Sequence, residues 1–114
     1  MYHSNLPEHE LLKTILKPLL EDFQYWFSRS RALLESEKIP FMETEQQADL
    51  LVRVKQAQQE VITAVMMFEA TGGQVGVETA TLMPWHQLVT ECWQISMQFA
   101  REQSTSANKV DGYK

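Results

Sequence analysis

The residues with the strongest chemical potential in this 114-residue chain are its three histidines and its single cysteine. His3 and His9, with Glu8 and Glu10, bring imidazole and carboxylate groups together near the N-terminus, the ligand types that hold zinc. Two ligands on one helix face need i,i+4 spacing, and these histidines stand six residues apart, so no metal centre is expected. His86 and Cys92 share that unfavourable spacing. A Cys–His nucleophile needs its imidazole within hydrogen-bond reach of sulfur and an acid to orient it, and the spacing supplies neither. Cys92 therefore reads as a small core hydrophobe. His86, beside Trp85, reads first as a residue that caps or lines the bundle surface, with ligation of a tetrapyrrole or another small ligand between helices as the alternative. No phosphate-binding glycine loop, paired CxxC, HExxH, nucleophile elbow or calcium loop occurs, so no catalytic residue, metal or cofactor is expected.

Large apolar side chains carry more information. Phe23, Trp26 and Phe27 share one helix face, while Tyr25 points elsewhere. Tyr25, Met66, Met67, Trp93 and Met97 extend the apolar width beyond what a small bundle hides, and Trp, Tyr and Met are enriched at protein contacts. The expected partner-binding patch comprises Tyr25, Met67, His86, Trp93 and Met97 as one contiguous surface.

These residues need elements to position them. Asn5, Glu8 and Pro7 form a capping-box-like helix start. Leu12, Ile15, Leu16, Leu19, Leu20, Phe23, Trp26, Phe27, Leu33 and Leu34 then recur at three- and four-residue steps, and Pro18 is expected to kink or split this helix. Ser36 to Glu43 reads as a connection. A second helix starts at Thr44, with Thr44 capping and Gln47 reaching back, and carries Leu50, Val54, Ala57, Val61, Ala64, Val65 and Phe68. Gly72-Gly73 ends it. Val75 and Val77 are the sole strand-like signal. Pro84 suits the first turn of a last helix bearing Trp85, Leu88, Val89, Cys92, Ile95, Ser96 and Phe99. The expected organisation is a helical domain over residues 1–103 and a flexible tail over 104–114.

Composition sets outer bounds. Hydrophobic residues at 44% and charged residues at 22% are globular values, and the length suits one domain. A net charge of −5 disfavours nucleic acid and anionic lipid. One cysteine allows no internal disulfide, and neither a signal peptide nor a membrane-length apolar run is visible, which fits a cytoplasmic protein.

The strings Leu20-Glu21-Asp22-Phe23-Gln24-Tyr25-Trp26-Phe27 and Leu82-Met83-Pro84-Trp85-His86-Gln87-Leu88-Val89-Thr90-Glu91-Cys92-Trp93 resemble a small uncharacterised cyanobacterial family, a domain of unknown function. The resemblance covers Leu6 to about Gln103, including Gln46-Gln47-Ala48-Asp49-Leu50-Leu51 and Gly73-Gln74-Val75-Gly76. It implies a cyanobacterial origin and a cytoplasmic setting, and carries no activity. The expectation is an all-α antiparallel bundle of three to four helices. Its expected role is non-enzymatic, binding another protein or itself. A tetrapyrrole- or small-molecule-binding bundle, and an enzyme with an unrecognised site, stand as alternatives.

Overall fold

The computed structural model describes residues 8–72 and 79–112, with side chains placed over 14–72 and 80–104. Three helices follow one another: α1 (Glu8–Ser36), α2 (Thr44–Ala70) and α3 (Thr79–Gly112), with no strand among the described residues. Val75 to Val77, Gly73 and His3 lie outside the described residues, as does the side chain of His9.

Each helix buries one stripe of its period. Leu16, Leu20, Phe23, Phe27 and Leu34 face inward from α1, and Leu50, Val54, Ala57, Val61 and Phe68 from α2. Trp85, Leu88 and Cys92 complete the core from α3. Steps of three, four and seven return a side chain to the same side of a 3.6-residue helix, which is why these positions share one core.

Cross-helix pairs set the directions. On α1, Ser28 and Arg31 hydrogen-bond Gln58 of α2, whereas Leu34 near the end of α1 meets Gln47 near the start of α2. The helices are therefore antiparallel. Phe23 packs edge-on against Trp85 with centroids 5.6 Å apart, and Ser30 lies beside Cys92, so α1 and α3 run parallel. The backbone of α1 lies close to both other helices, while α2 and α3 approach each other chiefly through side chains. With extents of 66 × 30 × 20 Å and a radius of gyration of 18.7 Å, the molecule is a rod. A compact chain of this length has a radius near 13 Å, and the helices outrun their shared core.

The α1–α2 turn is built around one buried amide. Gln47 accepts a hydrogen bond from the Ile39 N–H at 2.9 Å and donates its Nε2 to the carbonyls of Leu34 at 3.0 Å and Glu37 at 2.7 Å. Ile39 is fully buried beneath the turn. The cap of α2 is displaced from the expected one. Glu43 is the N-cap and its N–H donates to Gln46 Oε1 at 2.9 Å, which releases Gln47 for the interior. At the other end Gly72 adopts φ 64°, the left-handed conformation that stops a helix, and its N–H donates to the Glu69 carbonyl.

Two expectations change. The first helix is not split, because α1 passes through Pro18 as one element. Pro18 is exposed, so its ring faces solvent, and neighbouring Leu16 and Leu20 remain anchored in the core. Burial on both sides overrides a local penalty of about 3 kcal/mol. The last helix begins at Thr79 rather than near Pro84, which lies inside it. The backbone also stays helical over residues 104–112, past the end of the apolar period.

Two stability predictions follow from this anatomy. Gln47→Ala leaves the Ile39 N–H and two carbonyls without their partner and is expected to cost about 2–4 kcal/mol in a denaturant melt followed by helix signal. Gln47→Glu turns an acceptor toward those carbonyls and is expected to cost more at neutral pH than at acid pH. Pro18→Ala restores a backbone donor in an exposed helix interior and is expected to stabilise by about 1–3 kcal/mol. A lower melting temperature for Pro18→Ala would show that the proline shapes α1 for its packing.

Candidate interaction surface

A groove of about 400 Å³ lies between α2 and α3 and includes Arg53, Glu60, Trp85 and Glu91 in its walls. Its ionisable groups are engaged with one another. The Arg53 guanidinium grips Glu91 with two hydrogen bonds of 3.2 and 2.7 Å and also reaches Asp49 at 3.4 Å. Donating these hydrogen bonds to the Glu91 carboxylate raises the proton affinity of Arg53 and keeps it charged. Trp85 Nε1 donates to Glu60 Oε1 at 2.9 Å. These contacts tie α2 to α3.

Cys92 is buried, and burial pushes its thiol up, partly offset by the adjacent Ser30. His86 is exposed, and six residues of helix leave the two side chains about 120° apart around the axis, so imidazole and sulfur do not meet. Among the described residues, no group of three or more His, Cys, Asp or Glu side chains is placed to hold a metal ion. No helix there is long and apolar enough to cross a membrane.

A different feature stands on the flank of α1 away from α2. Leu19, Trp26 and Leu33 recur at seven-residue steps along α1, and Leu82, Val89 and Ser96 do so along α3, all six half-buried. Trp26 lies two residues, about 200° of helix, from Ser28, which faces α2. Val89 and Trp93 stand equally far from Glu91, which also faces α2. Leu33 and Ser96 border one internal gap together with Ser30, Cys92 and Leu50 of α2, which brings the lower ends of the two ladders together. The two ladders therefore form a single seam along the parallel pair α1 and α3, opposite α2.

Aromatic and sulfur-bearing side chains border that seam. Tyr25 meets Trp26 edge-on at 5.1 Å, Arg29 donates to the Tyr25 hydroxyl at 2.9 Å, and its guanidinium lies 5.9 Å from the Trp26 ring centre. On α3, His86, Trp93 and Met97 stand on the outer side of the seam, with Trp93 50% and Met97 41% exposed. Tyr25 is exposed at the outer edge of α1. Met67 is exposed but stands elsewhere: seven residues beyond Glu60, it shares the flank of α2 that turns toward Glu91. That flank lies across α3 from Trp93, so Met67 does not join the other four residues.

Trp26 was expected in the core, yet it is half-buried and bridges the seam to the surface. The signal was present in the heptad Leu19, Trp26, Leu33, which runs parallel to the true core stripe. A second signal is charge. Between Thr79 and Ala100 of α3, Glu91 is the sole Asp, Glu, Lys or Arg, and it faces α2. The outer face of α3 thus lacks the charges that normally keep a helix solvated, and such depletion marks the centre of protein interfaces.

The thiol supplies a check on this arrangement. Cys92 ionises at higher pH in the folded chain than in the unfolded one, so its contribution to stability is full below about pH 8.5 and falls as pH rises. Wild-type protein is expected to lose more stability between pH 7 and pH 10 than Cys92→Ala. A thiol reagent should modify Cys92 only under unfolding conditions. Rapid modification of native protein would show that α3 separates readily from α1.

Comparison with curated proteins and with solved structures finds no match. One family model, described as a protein of unknown function (DUF2605), matches residues 6–101, which takes in the α1–α3 seam and all five proposed contact residues. On that match, spanning most of the chain, the protein belongs to the DUF2605 family.

Proposed function

We propose that this chain is a non-enzymatic interaction module that binds a helical protein surface through the α1–α3 seam. The observation that carries this reading is the pair of half-buried heptad ladders, Leu19–Trp26–Leu33 and Leu82–Val89–Ser96, open on the side opposite α2. Leu19, Leu33, Leu82 and Val89 also pack against the core from this side, while Trp26 extends the stripe toward the surface. Here the second stripe is bordered by Tyr25, Trp93 and Met97, large side chains with little charge around them on α3. An apolar stripe of this spacing fits an amphipathic helix laid along it. The mutual engagement of Arg53, Glu91, Glu60 and Trp85 supports a structural role for the α2–α3 groove. The setting we assign is the cytoplasm of a cyanobacterium, on the strength of the sequence resemblance.

A photo-crosslinking amino acid at position 93 tests the reading in living cells. A discrete heavier adduct is expected from position 93 and none from Glu45, which is exposed in the first turn of α2. Equal labelling from both positions, or no adduct from position 93, would refute the interaction face.

A further inference from the structure

We infer that the seam is covered by a second copy of this chain, joined about a two-fold axis that runs across the helices and sets α1 antiparallel to its counterpart. This rests on the reading of the seam as an interaction face, and adds the identity of the partner and its orientation.

Charge selects the partner. Two copies of a chain with net charge −5 repel unless the surfaces that meet are neutral or complementary to themselves. The outer face of α3 carries no Asp, Glu, Lys or Arg from Thr79 to Ala100. On α1, the exposed charges beside Trp26 are Asp22 and Arg29, one acid and one base seven residues apart on a single face. A surface with one charge of each sign matches its own copy when that copy is turned end for end. Asp22 of each chain then faces Arg29 of the other, with the axis crossing between Tyr25 and Trp26.

The same axis gives a consistent result on α3. Phe23 is level with Trp85, and Ser30 with Cys92, so a point between Tyr25 and Trp26 on α1 is level with a point between Gln87 and Leu88. Rotation about it brings exposed Trp93 of one chain over half-buried Leu82 of the other, and His86 over Val89. An indole thus lands on a leucine side chain, and no like charges meet. A rotation axis parallel to the helices would instead lay α1 of one chain on α3 of the other. Asp22 and Arg29 would then face an uncharged helix and lose their solvent without a partner.

The area is sufficient. The uncharged length of α3 is about 33 Å at 1.5 Å per residue, and two adjacent helices present a face roughly 20 Å wide. Such a face is of the order of the 800 Å² per partner that stable complexes bury.

The test is sedimentation equilibrium of the purified full chain at micromolar concentration, with helix content followed by circular dichroism. The expected species has twice the 13.2 kDa chain mass. Trp93→Glu is expected to give a monomer with unchanged helix content. Asp22→Arg and Arg29→Asp, each on an exposed position, are expected to weaken association by about tenfold or more, corresponding to about 1.4 kcal/mol. The double variant Asp22→Arg, Arg29→Asp is expected to restore it. A monomeric wild-type chain would overturn the second copy as occupant. In that case a crosslinked adduct at position 93 with a different chain would leave the interaction reading standing. A dimer unaffected by Trp93→Glu would place association on another face, and failure of the double variant to recover would overturn the antiparallel arrangement.

Discussion

The antiparallel pairing of α1 and α2 depends on the side-chain amide of Gln47. It is polar and buried, and it accepts from Ile39 while donating to Leu34 and Glu37, so the end of α1, the connection and the start of α2 are held by one group. A buried amide is tolerated only when its hydrogen-bonding capacity is met, and this requirement admits few geometries for the turn. With the turn set, α2 must return along the flank of α1 that carries Ser28 and Arg31. The flank bearing Trp26 is left uncovered by α2, and α3 covers it only in part. The open seam is therefore a consequence of how α1 and α2 are joined.

The bond between α2 and α3 is of another kind. It relies on Arg53 with Glu91, both nearly half exposed, and on the Trp85–Glu60 hydrogen bond at the edge of the groove. Exposed ion pairs contribute little, about 0–1 kcal/mol, and salt screens them. Burial of Phe23, Trp85 and Cys92 between α1 and α3 supplies most of what fixes α3. The helix that presents the outer aromatic and methionine side chains is thus held chiefly by α1, whose own flank forms the other wall of the seam.

Much of the fold was legible from spacing. Apolar steps of three and four predicted the buried stripe of every helix, and Gly72 marked the end of α2 where its positive φ is required. Local rules failed where tertiary packing outweighed them. Pro18 signals a kink or a split, and the split is absent because Leu16 and Leu20 on either side are held in the core. Gln47 fits a capping position by sequence, yet its neighbour Gln46 takes that position because the amide of Gln47 is needed inside. At the surface, residue type identified exposed Tyr25, Trp93 and Met97. Their common side depends on helix pairing, which periodicity within one helix does not encode. Met67 illustrates the limit: composition grouped it with Trp93, and the rotation of α2 about its axis puts α3 between them.

The scarcity of charge on α3 also has a colloidal consequence. Glu91, its sole ionised side chain between Thr79 and Ala100, is engaged with Arg53, so this stretch of α3 adds almost nothing to the electrostatic repulsion between molecules, which comes from charges elsewhere on the chain. That repulsion vanishes as the pH approaches the isoelectric point near 5.1. At that pH the bare side of α3 meets other molecules with no long-range barrier, and colloidal stability is then limited by how completely that one side is covered.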